Sequence, residues 1–282
     1  SVITFKSKKD AENYADKTNG VYFNDSITIQ DAENETISTE ENSETNESSE
    51  VTYDSSNTTN NDSSSEKHSE LLDYLQSQDY GKNDVTVAVI DSGITVDSNT
   101  KNVFNDRVLS GVNYSATKSA ETNCNEATDD NGHGTSISYI IAQSTSDNVK
   151  LLPIKVIDSA GKGTLLSLYQ GIKYAIEQNV DVINISLSTA STHSELIKEA
   201  IDEANAKGII VVAAAGNYGT NVKYYTPAKF DNVITVASVN EQLQHSDFSN
   251  YGDAIDYATI GENVYTESYN GADNRNGTSY SA

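Results

Sequence analysis

Three short segments of the chain carry the side-chain types that acyl transfer needs. Val87-Ala-Val-Ile-Asp-Ser-Gly93 offers a carboxylate at Asp91, Asn131-Gly-His-Gly-Thr135 an imidazole at His133, and Asn276-Gly-Thr-Ser-Tyr-Ser-Ala282 a hydroxyl at Ser279. A serine hydroxyl is a weak nucleophile at neutral pH, so an imidazole must take its proton as it attacks. A carboxylate on the other ring nitrogen then fixes the tautomer and stabilises the imidazolium. A fourth segment, Ala213-Ala-Ala-Gly-Asn-Tyr-Gly219, places Asn217 in a loop of small residues, where its amide could donate to an oxygen that becomes negative.

Taken singly, none of these residues is diagnostic. An Asp after a strand is commonly a turn or cap residue, and serine is abundant in this chain, with Ser281 the nearest competitor to Ser279. Their settings are more specific. His133 stands between Gly132 and Gly134 and faces little steric shielding, whereas His68, His193 and His245 lie in polar surroundings without glycine framing. Ser279 follows Gly277 at what reads as a helix start, where free N–H groups and the positive end of the dipole favour an oxyanion. Asp91 and His133 are 42 residues apart, so only a tertiary fold brings them together.

The elements that must position them follow from hydrophobic patterning. Apolar, β-branched runs occur at 85–90, 151–157, 180–186, 208–214 and 233–239, and helical patterns fall at 134–143, 165–178 and 194–207. Buried strands alternating with helices predict an α/β fold with a mostly parallel sheet covered on both faces. Such sheets display functional groups at the carboxyl ends of their strands, where Asp91 falls.

The remainder of the chain reads differently. Residues 1–30 pattern as a small β-α-β piece, with strands at 2–5, 21–23 and 27–29 and a charged helix over 8–17. Residues 31–70 carry 12 acids against one lysine and are dense in Ser, Thr and Asn, so 31–68 is expected to be an acidic disordered linker. An amphipathic helix around Leu71–Leu75 opens a folded domain at residue 69. A net charge of -24 argues against nucleic-acid or anionic-membrane partners. No apolar run is long enough to span a bilayer. The lone Cys124 excludes an internal disulfide, and the scattered acids have no regular ligand spacing for a metal. No cofactor is expected.

Four motifs in the order Asp, His, Asn, Ser closely resemble the subtilisin-like serine proteases over residues 69–282. The resemblance implies a three-layer α/β sandwich and endopeptidase hydrolysis of a peptide or protein substrate. Asp91 would orient His133, His133 would act as base and then acid, Ser279 would attack, and Asn217 with the Ser279 N–H would form the oxyanion hole. It also implies that Gly161-Lys162-Gly163 and Ser186-Leu187-Ser188 pair with a substrate strand. Tyr218, Lys223 and Tyr225 would shape the pocket for the residue before the cut (P1). Ser188 stands where glycine is usual, which narrows that pocket, and Lys223 is expected to favour an acidic or polar P1.

Further expectations follow from the same resemblance. Relatives hold calcium in a longer loop than Ser144–Lys150, so no metal site is carried over. Residues 1–30 look like a remnant of a pro-domain, and Tyr280-Ser281 together with the acidic linker resemble lantibiotic leader peptidases, extracellular or cell-surface enzymes of Gram-positive bacteria. With no Met in the chain, Ser1 is read as a processed or defined start, and the domain is expected to be truncated after Ala282, with little peptidase activity on its own. Two other readings stay open: an inactive fragment or pseudo-protease that binds peptides, and an acidic tether that would account for the linker alone.

Overall fold

The run Val85–Asp91 is apolar at both odd and even positions, so a strand built from it must be covered on both faces. In a computed structural model of the chain, which describes residues 26–28, 84–115, 127–191 and 194–282, this run is strand β2. Ala88 and Ile90 pack into one apolar core, while Val87 and Val89 pack into a second. Strands β3 (Val112–Asn113), β4 (Val149–Lys155), β6 (Val182–Ile185), β8 (Ile210–Ala214), β10 (Ile234–Val239) and β11 (Tyr257–Ile260) complete a seven-stranded sheet. Its order is β11-β10-β8-β6-β2-β4-β3, with every neighbouring pair parallel.

Helices make the outer layers. On the first face lie α3 (Leu165–Glu177) and α4 (Glu195–Ala206), which bury Leu168, Ile172, Ile176, Ile197 and Ile201. Helix α3 starts where the Thr164 hydroxyl accepts the Ser167 N–H at 3.0 Å. It lies close to the sheet because residue 171 is glycine: a Cβ there would stand 3.0 Å from Val156 and 3.2 Å from Ile154. The second face is covered by α2 (His133–Gln143), α1 (Lys101–Phe104) and β12 (Val264–Ser268), through Ile137, Tyr139, Phe104 and Val264. The three-layer α/β sandwich expected from the sequence is the observed architecture.

Strand parity then decides where Asp91 points. Side chains alternate along a strand, so Asp91 shares the face of Val87 and Val89, the face covered by α2. Strand β2 also marks the place where the sheet order reverses, with β4 and β3 to one side and β6, β8, β10 and β11 to the other. Such a reversal leaves a crevice at the strand carboxyl ends.

Several elements differ from the expectations. Helix α2 begins at His133 itself, and the segment after Gly277 forms a turn over Thr278–Ser281. A hairpin of β12 and β13 (Gly271–Arg275) was not expected. The expected strand at 27–29 is observed as β1 (Ser26–Thr28), and it pairs antiparallel with β5 (Lys162–Thr164): Ser26 opposite Thr164, Ile27 opposite Gly163, Thr28 opposite Lys162. Strand β1 also approaches β7 (Thr189–Ala190) within 8 Å between Cα atoms. The expected strands at 2–5 and 21–23, the helix at 8–17, the acidic linker, the Leu71–Leu75 helix, Cys124, His68 and His193 lie outside the described residues.

Candidate active site

Asp91 and His133 meet in a fully enclosed pair. The His133 Nδ1 lies 2.8 Å from Asp91 Oδ1 and 2.9 Å from Oδ2, and the two residues are 0% and 4% exposed for Asp91 and His133 respectively. The main chain of Asp91 is fixed by the sheet, its carbonyl accepting the Val156 N–H at 2.8 Å. The turn after it closes on the His133 segment so tightly that a Cβ on Gly134 would stand 2.3 Å from the Gly93 carbonyl oxygen. Glycine is therefore required beside His133 for backbone approach.

The serine turn lies against the same imidazole. The Tyr280 ring is 5.8 Å from that of His133, centroid to centroid, which brings residues 279–280 to the histidine. Ser279 is buried; its hydroxyl donates to the Ser186 carbonyl at 3.2 Å, and the Ser186 hydroxyl donates to the Ser279 carbonyl at 3.1 Å. Asn217 is held by its oxygen: Oδ1 accepts the Thr278 N–H and hydroxyl, both at 2.8 Å. That fixes the amide orientation and leaves Nδ2 as the donor side. A Cβ on Gly277 would stand 3.2 Å from this nitrogen. The four residues read as one constellation in the sequence are thus brought together.

Of the expected substrate segments, Ser186–Ser188 touches it directly, through the Ser186–Ser279 bonds. Gly161, with φ of 73°, turns the chain into β5, where Lys162 is exposed and Gly163 buried. Ser186, Leu187 and Ser188 leave the end of β6 and lead into β7, which pairs with β9 (Tyr225–Thr226). Tyr218 and Tyr225 stack with centroids 4.6 Å apart, and the Tyr225 hydroxyl bonds the Thr220 hydroxyl at 3.2 Å. Lys223 is exposed, with Nζ 5.0 Å from the Tyr224 ring centroid, so its charge is held over a surface ring.

Sequence reasoning passed over three polar residues of the site. Ser92, Asp129 and Lys155 are 0%, 4% and 2% exposed, and they bond one another's segments around Asp91. The only available signal was Asp129-Asp130 directly ahead of the Asn-Gly-His motif, and such acids ordinarily face solvent. Among the described residues no group of three or more His, Cys, Asp or Glu is placed to hold a metal ion. Nor is any helix among them long and apolar enough to cross a membrane.

The model of the Subtilase family matches residues 82–282, the stretch that holds the whole site. The chain belongs to the subtilase family. This subtilase is 36% identical over 206 residues to subtilisin DY of Bacillus licheniformis, covering 69% of this chain and 70% of that one. It is 35% identical to subtilisin E of Bacillus subtilis (strain 168), over 67% of this chain and 50% of that one. The minor extracellular protease Epr of the same strain is 33% identical over 65% of this chain and 28% of its own length. A solved structure of a cold adapted subtilisin-like serine proteinase superposes with a TM-score of 0.60 at 26% identity, over 72% of this chain and 74% of that one. The subtilase thus falls among subtilisin-type serine endopeptidases, though it spans about half or less of the length of some relatives.

Proposed function

We propose that this subtilase cuts internal peptide bonds through an acyl-enzyme on Ser279, with His133 as base and then acid and Asp91 as its orienting partner. The buried Asp91–His133 bond beside the Ser279–Tyr280 turn carries the reading. For attack, the Ser279 hydroxyl turns from the Ser186 carbonyl toward His133 Nε2 and gives up its proton as the C–O bond forms. Asn217 Nδ2 and the Ser279 N–H then stabilise the oxyanion. The imidazolium returns the proton to the leaving amine, and water repeats the sequence to release the acid.

Substrate binding is proposed to use strand addition. The pairing of β1 with β5 supports this, because an extended segment of the chain itself pairs with Lys162–Thr164, overlapping the Gly161–Gly163 edge assigned to substrate, and approaches β7, which follows the Ser186–Ser188 edge. In this reading residues 1–30 act as a pro-segment that competes with substrate for the same edge. Tyr218 and Tyr225 wall the P1 pocket, and Lys223 contributes a positive field that favours acidic or polar P1 residues. The narrower proposal is removal of the leader from a lantibiotic precursor, outside a bacterial cell; one relative carries extracellular in its name. Tyr280-Ser281 after the nucleophile and the acidic stretch 31–68 are its support.

Reaction of the chain with a serine-directed fluorophosphonate, lost on Ser279→Ala, tests the activity. A chain that binds peptides but leaves the probe unreacted would instead be the peptide-binding pseudo-protease.

A further inference from the structure

Asp129 contributes nothing to the proposed proton transfers, yet its carboxylate accepts five hydrogen bonds while 4% exposed. Oδ1 takes the Ser92 hydroxyl at 2.8 Å and the Asn131 and Gly132 N–H groups at 2.9 Å each. Oδ2 takes the Thr135 N–H at 2.9 Å and the Thr135 hydroxyl at 2.6 Å. These donors belong to two segments. Ser92 adjoins Asp91, while Gly132 and Thr135 flank His133.

Cross-links continue around this carboxylate. The Ser92 hydroxyl accepts the Gly134 N–H at 2.9 Å, and the Thr135 hydroxyl accepts the Thr95 N–H at 3.0 Å. From the other side, the Lys155 ammonium donates to the Ser92 carbonyl at 2.8 Å, to the Ile157 carbonyl at 2.7 Å and to Asp130 at 2.6 Å. Ser92 is therefore held at both its hydroxyl and its carbonyl. Helix α2 has Gly132 at its N-cap, which offers no capping side chain, so Asp129 supplies from outside the helix the acceptor and the negative charge that a cap normally provides.

We propose that Asp129 is a positioning residue for the Asp91–His133 pair: its carboxylate ties the turn after Asp91 to the helix start that carries His133, and its charge supports the imidazolium. This rests on Asp91 and His133 being the catalytic pair. An uncompensated helix N-terminus disfavours a cation on its first turn, and His133 is the first residue of α2. The charged and titratable groups facing that start are Asp91 from β2, Asp130 with Lys155 from β4, and Tyr269 from the β12–β13 turn, with Tyr280 packed on the ring. Asp130 is matched by Lys155, whereas all five partners of Asp129 are neutral. Tyr269 registers the local negative charge: burial first, then Asp129 and Asp130, push its phenol above its ordinary range.

The experiment compares wild type, Ser92→Ala and Asp129→Asn in the 282-residue chain. It measures kcat and KM on a chromogenic peptide across pH, and the protonation midpoint of His133 by NMR. Ser92→Ala removes the hydroxyl's bond to Asp129 and its bond from the Gly134 N–H but keeps the charge, so kcat falls on the order of tenfold with KM within about twofold and the midpoint unmoved. Asp129→Asn cuts several links and removes the charge, so kcat falls further and the midpoint drops by about half a pH unit. A folded Asp129→Asn chain whose midpoint stays in place overturns the proposal, as does a Ser92→Ala chain with wild-type kcat. Should Asp129→Asn not fold, Ser92→Ala decides: lost kcat at unchanged KM and unchanged melting supports the proposal. Should the wild type show no turnover, the inactive, peptide-binding alternative replaces the peptidase reading for this 282-residue chain, and the NMR midpoints alone decide the role of Asp129.

Discussion

Ser279 and Ser186 hold each other reciprocally, the Ser279 hydroxyl donating to the Ser186 carbonyl at 3.2 Å and the Ser186 hydroxyl to the Ser279 carbonyl at 3.1 Å. The first is long for an O–H donor, so turning the hydroxyl toward His133 costs little. The second fixes the backbone from which the proposed nucleophile projects. Ser186→Ala removes that donor and takes an acceptor from Asn184, whose amide lies 3.2 Å from the Ser186 hydroxyl. The expected outcome is a roughly tenfold loss of kcat and a stability loss of about 1–2 kcal/mol. Unchanged turnover in a stably folded variant would show that this bond does not set the serine.

Ser188 bears on the P1 pocket proposed beside Ser279. Ser186 bonds Ser279, and the Gly216 N–H donates to the Thr278 hydroxyl at 3.0 Å, so the two segments flank the serine. The Ser188 hydroxyl lies 3.2 Å from where a Cβ on Gly216 would stand, which places it across the gap. Peptides with small or polar P1 residues should be cut in preference to those with P1 Phe. Ser188→Gly should raise kcat/KM for P1 Phe by on the order of tenfold. A P1 series read on both proteins checks this, and identical profiles would remove Ser188 from the specificity argument.

Self-pairing of β1 makes a kinetic prediction. Proline lacks the N–H that an antiparallel pair uses, so Ile27→Pro weakens β1 where Ile27 opposes Gly163. Access to the edge then improves, and kcat/KM for an extended peptide rises while that for a single-residue ester does not. Equal rates with and without the proline would mean that the edge is not shared with substrate.

Much of this architecture was legible because burial writes itself into composition. Strands β2, β4, β6, β8 and β10 read as apolar runs since both faces are covered, whereas the glycines beside His133, read as leaving the imidazole unshielded, include Gly134, where backbones touch. What escaped has physical reasons too. Pairing of β1 with β5 runs through backbone groups that every residue type carries, so no side-chain pattern announced it. Hairpin β12–β13, with segments such as Gly271-Ala-Asp-Asn-Arg275, is too polar to read as strand. Lys155 and Asp129 looked like solvent-facing charges, because their partners are carbonyls and N–H groups supplied only by the fold.

Arg107 is a second buried cation of that kind, and it organises the short loop after α2. Its guanidinium, 3% exposed, donates to the carbonyls of Val149 at 2.8 Å, Ala142 at 2.7 Å and Thr145 at 3.3 Å, and to the Thr145 hydroxyl at 2.5 Å. A fixed fork of donors thus closes the loop around its own acceptors. Arg107→Ala strands those carbonyls and should cost about 1–3 kcal/mol, and Arg107→Lys should recover only part of it. Thermal melts with and without a chelator complete the test. If this loop relies on Arg107, wild-type melting is insensitive to the chelator; a marked drop would assign the loop to a bound metal.

Alkaline pH probes the second core through Tyr139. Burial, followed by the charges of Glu267 and Tyr265, pushes its phenol up to about 12, while Gln143 Nε2 donates to its oxygen at 2.7 Å. In the unfolded chain the group titrates near 10, so folding favours the protonated form. Its contribution to stability is therefore fully present below about pH 10 and is lost as pH rises toward about 12. Tyr139→Phe has no proton to lose. At neutral pH the variant should be slightly less stable than wild type, by about 1 kcal/mol for the lost hydrogen bond. As pH rises through that window the wild type alone pays the ionisation term of this residue, and the gap should close or reverse. The remaining tyrosines titrate in both proteins, so the difference between their melting curves isolates Tyr139. A gap that stays constant from neutral to strongly alkaline pH would show that Tyr139 ionises as freely in the fold as in the unfolded chain.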